Sequence, residues 1–173
     1  MDERRRTVDD DREFDAIYRR EIHTITALAT SLTGSREIGA DLAHEAMTRT
    51  FRSWAHVRTL DRPGAWLRRV VINLAIDAHR RRQREASAIR RLSAVPRPAE
   101  PGASSAAASA QFWAAVRELP ERQRAVVALH YVDELTVTEI AQVLDISDGT
   151  VKSSLHRARA KLAETLGAEE VTG

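Results

Sequence analysis

The stretch Thr136–Leu162, TVTEIAQVLDISDGTVKSSLHRARAKL, holds two helix starts separated by a tight turn. Thr136 is placed to accept from the backbone N–H of Glu139, while the Glu139 carboxylate reaches back to the Thr136 backbone, a reciprocal cap. The short helix that begins there carries Ile140, Ala141 and Leu144 on its inner face. Asp145 takes the turn, where glycine is common; its short polar side chain tolerates a left-handed backbone at modest cost. Ser147 caps the next helix, and Val151, Leu155, Ala158 and Leu162 recur at helical spacing along its inner face. The pattern predicts a helix-turn-helix. In the second helix the positions not needed for packing are Lys152, Ser153, His156, Arg157, Arg159 and Lys161. The macrodipole alone accounts for Arg159 and Lys161 near the helix end. In this motif, however, the second helix enters the major groove, where Arg and Lys suit guanine edges and Ser and His bond more broadly. Lys152, Ser153, His156, Arg157 and Arg159 are therefore the candidate DNA-reading residues.

The motif lies at the far end of a 173-residue chain, long enough for one domain or two small ones. Hydrophobic residues make up 43% and can fill compact cores, while 30% charged residues exceed the usual quarter. The net charge is only +2, so any basic surface is local and arises from charge placement. Nearly all of the positive charge is arginine, since Lys152 and Lys161 are the only lysines. The absence of cysteine excludes disulfides and thiolate metal sites. No apolar run reaches membrane-spanning length, and the start MDERRRTVDDDREF lacks the apolar core of a signal peptide. A soluble, cytoplasmic protein without membrane insertion is expected.

Pro96, Pro98, Pro101 and Gly102 punctuate the run after Glu85 and predict a flexible linker over residues 85–110. Helical segments flank it. In the first, Phe14, Ile17, Tyr18, Ile25, Leu28, Ala29 and Leu32 recur at helical spacing up to Gly34. Ser35 caps a second helix with Ile38, Leu42, Ala46, Thr50 and Trp54 inward, and a third begins after Pro63-Gly64 with Leu67, Val70, Val71, Leu74 and Ala78. Beyond the linker, a helix near Gln111–Leu119 breaks at Pro120 and another runs to about Tyr131. No convincing period-two alternation occurs. The expected fold is all-α: two small helical domains, 14–84 and 111–166, joined by the linker, with tails at 1–13 and 167–173.

Two further surfaces stand out. Trp66, Arg69, Asn73, Asp77, Arg80 and Arg84 recur three or four apart opposite the apolar stripe of the third helix, and HRRRQR extends this basic face. Trp66 can stack on an exposed base and the arginines can bind phosphates; a core tryptophan beside a solvated arginine tail is the plainer reading. On the second helix Glu37, Asp41 and Glu45 are spaced four apart, a repelling arrangement partly relieved by Arg49. That stripe is either a solvated face or a docking site for a basic protein surface.

Together these segments resemble the extracytoplasmic-function sigma factors of the sigma-70 family, two-domain bacterial transcription initiation factors. LTGSREIGADLAHEAMTRTFRSW is similar to the family's helix that binds core polymerase, PGAWLRRVVINLAID to its −10-reading and strand-opening helix, and LPERQRAVVALHYVDELTVTEIAQVLDISDGTVKSSLHRARAKL to its −35-reading domain. The resemblance implies that Asp41, Leu42 and Glu45 dock on the clamp helices of the largest subunit of RNA polymerase. It implies that Arg69, Ile72 and Asn73 lie near the −10 element, on the face that also carries Trp66, Asp77 and Arg80. The loop His56–Pro63 would receive a flipped base, although it contains no aromatic residue. Lys152, Ser153, His156 and Arg157 match −35 contacts, whereas Ser154 stands where the family often has arginine. Promoter DNA, core polymerase and an anti-sigma factor are the implied partners.

No catalytic, metal or cofactor site is expected. The chain has no Gly-rich phosphate loop, its six histidines are scattered, and HEAMT lacks the second histidine of a zinc-binding HExxH. A metal-dependent nucleic-acid enzyme is thereby disfavoured. A stand-alone helix-turn-helix regulator, with an N-terminal dimerisation or signalling domain, is the second reading; it leaves the Trp66–Arg84 face unexplained.

Overall fold

The computed structural model describes residues 2–90 and 105–167, with side chains for 11–86 and 107–167. The described residues contain eight α-helices and no strand. An N-terminal lobe comprises α1 (Asp2–Thr33), α2 (Arg36–Arg52), the single turn α3 (Trp54–Val57) and α4 (Pro63–Arg90). A C-terminal lobe comprises α5 (Ser105–Arg117), α6 (Glu121–Tyr131), α7 (Val137–Leu144) and α8 (Asp148–Leu166).

The helix boundaries follow local chemistry. α1 ends at Gly34, whose φ of 71° takes the chain out of the helix in a conformation glycine adopts without steric cost. Ser35 then caps α2 by accepting from the Ile38 N–H at 3.3 Å. Thr136 and Glu139 form the reciprocal cap of α7, and Ser147 caps α8. Asp145 ends α7 with left-handed backbone at φ 56° and ψ 53°.

Two expected boundaries move. Residues 2–13 belong to α1 and are no tail; Glu13, near their end, pairs with Arg58 of the loop after α3 at 3.1 Å. The expected linker narrows at both ends, because α4 continues to Arg90 and α5 already begins at Ser105. Arg, Gln, Glu and Ala are strong helix formers and carry the flanks past the expected limits. The prolines and Gly102 lie in residues 91–104, outside the described residues, as do residues 168–173 of the expected C-terminal tail.

In the N-terminal lobe α1, α2 and α4 pack around Ile25, Leu28, Leu32, Ala43, Ala46, Met47, Leu67 and Val71. The inner face of α2 is turned from the expected one: Gly39, Ala43, Ala46, Met47 and Thr50 are buried, while Ile38 and Leu42 are half-buried. Gly39 sets the α1–α2 spacing, since a Cβ there would lie 2.7 Å from the Thr30 backbone nitrogen and 2.3 Å from its Oγ1. In α4 the buried positions are Leu67, Val71, Ile72, Ala75 and Ala78, with Val70 and Leu74 only half-buried. In the C-terminal lobe, α8 packs Ala158 and Leu162 against Val116, Leu119 and Val127.

The lobes touch. The apolar cluster of α1, α2 and α4 is continuous with Ala125, Val126, Leu129, Ile140 and Val143 of α6 and α7. Arginines frame the seam. Arg68 of α4 donates to Glu21 of α1 at 2.8 Å and grips Asp133 after α6 with both Nε and Nη2. Burial works against the Arg68 charge, but the bonds and charges of Asp133 and Glu21 outweigh it and raise its pKa. The carbonyls at the end of α1 are also shared: Ser31 accepts from Arg117 of α5 at 3.4 Å and Thr33 from Arg82 of α4 at 3.1 Å. Cations at a helix C-terminus complement its dipole.

Candidate nucleic-acid and polymerase interface

α8 presents Lys152, Ser153, His156, Arg157 and Arg159 on its exposed side, because Val151, Leu155, Ala158 and Leu162 fix its inner face. Ser153 Oγ returns to the Thr150 carbonyl at 3.1 Å, and Thr138 of α7 donates to Asp148 at 2.9 Å, fixing the entry to the helix. Arg159 is directed elsewhere. Its Nε donates to the Tyr131 hydroxyl at 3.2 Å and its Nη2 lies 3.3 Å from His130 Nε2, which draws the guanidinium toward α6. Ser154 is 7% exposed and faces the packing side, so its position is part of the α8 core contact and faces no phosphate.

The α4 face divides. Arg69, Asn73, Asp77 and Arg80 are exposed, as their spacing predicts, but Ile72 is 1% exposed and sits in the core beside Val71 and Ala75. Its helical phase places it between the buried Val71 and the side of α4 that turns Arg68 and Arg69 toward the C-terminal lobe, so Ile72 is covered while the lobes touch. Trp66 is half-buried against Trp54, Val57 and Ile17, so its ring is partly a core group. Its remaining surface meets Asn73, Val70 and, from α2, Arg49, Arg52 and Ser53 around a shallow cavity of about 370 Å³. The α2 arginines were not legible as partners of Trp66, because only the α2–α4 packing brings them there. An aromatic face ringed by arginines and an amide is chemically suited to an unstacked base and its phosphate.

The flank of α4 is already occupied by the protein itself. Arg69 Nε donates to the Val143 carbonyl at 2.8 Å and Nη2 to that of Gln142 at 3.3 Å, both at the end of α7. Arg80 grips Glu121 of α6 with Nε and Nη2, and also approaches Asp77 at 3.7 Å. Those hydrogen bonds raise the Arg80 pKa and lower that of Glu121. Arg62, in the loop before α4, donates to the Gln142 side chain. That loop shares a cavity of about 380 Å³ with Gly64, Leu135, Glu139 and Gln142, so it opens onto the C-terminal lobe.

The acidic stripe lies on the outer side of α2. Glu37 and Asp41 are exposed, Leu42 is half-buried against the core, and Glu45 pairs with Arg49 at 2.8 Å. Beside it the structure adds an apolar groove of about 510 Å³, lined by Phe14, Tyr18, Met47 and Phe51, with Asp11, Asp15 and His44 at its rim. Phe51 is 51% exposed and makes an edge contact with Phe14 at 5.0 Å. Phe51 thus extends an apolar surface shared with Phe14, Tyr18 and Met47. The inner face expected for this helix, Ile38, Leu42, Ala46, Thr50 and Trp54, did not include Phe51 and gave it no partner.

No group of His, Asp or Glu among the described residues could hold a metal ion, and no helix among them is long and apolar enough to cross a membrane.

Comparison with known proteins joins these surfaces. Residues 17–85 match the family model for sigma-70 region 2, and residues 109–162 that for sigma-70 region 4. The chain is 31% identical over 159 residues to an RNA polymerase sigma-E factor of Streptomyces coelicolor, covering 92% of this chain and 89% of that one. It is 32% identical over 154 residues to the ECF RNA polymerase sigma factor SigM of Mycobacterium tuberculosis, covering 89% and 77% of the two. Its fold is similar to that of the sigma factor RpoE solved with the anti-sigma factor NepR from Bartonella quintana, at a TM-score of 0.68 and 22% identity over 91% of this chain and 98% of that one. It is also similar to CnrH solved with the cytosolic domain of CnrY, at 0.64 and 22% over 92% and 90%. With region 2 on α1–α4 and region 4 on α5–α8, the chain belongs to the extracytoplasmic-function sigma factors of the sigma-70 family and is an RNA polymerase initiation factor.

Proposed function

We propose that α8 reads the −35 element as duplex, through Lys152, Ser153, His156 and Arg157. Arg159 acts at most on a phosphate, given its bonds to α6. The −10 element is read by Trp66, Asn73 and Arg69, joined by Arg49 and Arg52 across the shared cavity. Asp77 and Arg80 extend that surface toward the upstream duplex. Asp41, Leu42 and Glu45 dock on the clamp helices of core polymerase, and the Phe51 groove enlarges this contact. The protein opens the strands without chemistry of its own: capture of an unstacked base offsets an unstacking cost of a few kcal/mol. It works in the cytoplasm with no cofactor, and an anti-sigma factor restrains it; in support, the similar sigma factor RpoE was solved in complex with the anti-sigma factor NepR.

The observation that carries the mechanism is the engagement of Arg69 by the Gln142 and Val143 carbonyls. The same guanidinium cannot serve α7 and a promoter at once, so the lobes must separate before the −10 element is read. Core polymerase supplies that separation by binding each lobe at its own distance. The test is reconstitution with core polymerase on a promoter library. Enrichment of paired −35 and −10 motifs at fixed spacing is expected, together with feeble binding of the protein alone to the same duplexes. Tight, specific duplex binding without polymerase would instead fit a stand-alone regulator.

A further inference from the structure

The seam between α4 and the α5–α6 corner contains a second cavity, of about 430 Å³. Its walls are Arg80, Arg84, Arg117 and Arg124, with His79, Gln83 and a single carboxylate, Glu118. The other nearby carboxylate, Glu121, is already gripped by Arg80. Arg124 is only 5% exposed. Its Nη2 donates to the Leu119 carbonyl at 3.0 Å, but its Nε and Nη1 are buried with no acceptor. Leaving charged donors buried and unpaired is costly, more so with other guanidiniums alongside. Arg117 has a single long bond, 3.4 Å to Ser31. Burial depresses the pKa of both Arg117 and Arg124. Burial, then the Arg124 charge, does the same to His79, whose Nε2 lies 3.0 Å from the Gln83 amide nitrogen. The cavity therefore offers guanidinium donors from three helices, a neutral imidazole and an amide, with too little negative charge to satisfy them.

We propose that this cavity binds a phosphate-type oxyanion, which bridges α4 to α5 and α6 and fastens the two lobes together. A tetrahedral oxyanion presents acceptor lone pairs in several directions at once, matching guanidiniums that converge from separate helices; a planar carboxylate serves one fork. Arg124, which lines the cavity, holds the unpaired donors that an anion there would satisfy. The phosphate comes either from a small phosphorylated molecule or from a nucleic-acid backbone. This cavity shares only Arg80 with the proposed promoter surface, so the outcome here and that of the promoter assay are separable.

The experiment is calorimetric titration of the full chain at fixed ionic strength, with inorganic pyrophosphate in one arm and a short single-stranded oligonucleotide in the other. At least one probe should bind saturably at one site per chain. Saturation by pyrophosphate alone assigns a small-molecule source, and by the oligonucleotide alone a backbone source. Arg84→Gln, at an exposed position, should weaken binding about tenfold, the loss expected for one charge-assisted hydrogen bond. Arg124→Met should abolish binding while leaving the ligand-free chain at least as resistant to unfolding, because it removes a buried unpaired charge. Hydrogen exchange of the α7 amides should slow with bound anion. Non-saturating heats from both probes, undiminished binding in both variants, or unchanged α7 exchange on saturation would each overturn the proposal.

Discussion

The two surfaces proposed to face promoter DNA are kept in opposite conditions. The α8 side chains Lys152, Ser153, His156 and Arg157 stand exposed on a helix whose geometry is set within its own lobe. The α4 face is as rich in arginine, but Arg69 and Arg80 are spent on α7 and α6, and Arg68 on Asp133. Exposure of a basic side chain and its availability are thus separate properties. Arg80 is largely solvent-exposed and still committed to Glu121, whereas no described residue of the opposite lobe makes such a claim on Arg157. On the proposed assignment, one reader is ready as folded and the other becomes ready only when the seam opens.

The contrast can be broken most forcefully at Arg68. Replacing it with methionine leaves the buried carboxylates Glu21 and Asp133 without their shared cation, and removing one member of a buried pair costs about 3–5 kcal/mol. Urea unfolding should show a loss of that order, and Arg68→Met combined with Asp133→Leu should recover part of it. A loss within 0.5 kcal/mol, roughly the scatter of surface substitutions, would mean that the seam contributes little. Within the N-terminal lobe, Gly39→Ala should cost about 1–3 kcal/mol by forcing α1 from α2, since the added methyl meets backbone. Thermal unfolding reads this directly.

A finer cut separates the readers. Arg157→Ala should weaken binding of a −35 duplex by about 1–3 kcal/mol and leave the unfolding midpoint in place. Arg69→Ala should do the reverse: unchanged −35 binding, but faster hydrogen exchange at the end of α7, whose carbonyls lose their donors. If Arg69→Ala left α7 exchange unaltered, the engaged condition of the α4 face would be wrong. The smallest effect belongs to acid. Hydrogen bonds from the Thr136 hydroxyl and backbone lower the Glu139 pKa below its ordinary 4.5. A depressed carboxylate stabilises above its unfolded value and stops doing so as pH falls through its folded value. The stability advantage of the parent chain over Glu139→Ala should therefore be constant near neutrality and shrink on acidification below pH 4.5.

What was legible in the sequence was local. The Thr136–Glu139 and Ser147 caps, the left-handed Asp145 and the inner face of α8 depend on residues within a few positions of one another, and all are as expected. The all-helical class and the matched regions 2 and 4 also follow from such patterns. The burial of Ile72 gave no signal, because it is set with the lobes together and no local pattern shows that contact. Gly39 gave no signal, since a close approach shows only once α1 lies on α2. The pairing of Arg68 with Asp133 and of Arg69 with Val143 spans 65 and 74 positions, beyond any periodicity. The roles of Arg49 and Arg52 depend in the same way on packing.

On the proposed assignment of α4 and α8, the bond between Arg69 and the Val143 carbonyl also bears on promoter search. When only a fraction of molecules has its −10 surface uncovered, the measured affinity for that element falls by the same fraction. A lone molecule would then pass over chance −10-like sequences while still able to sample −35-like ones through α8. Anything that uncovers α4, whether polymerase or a mutation at the seam, raises apparent −10 affinity without adding a single contact to DNA. Selectivity for genuine promoters would then be lost by loosening a protein–protein seam, at residues that never meet a base.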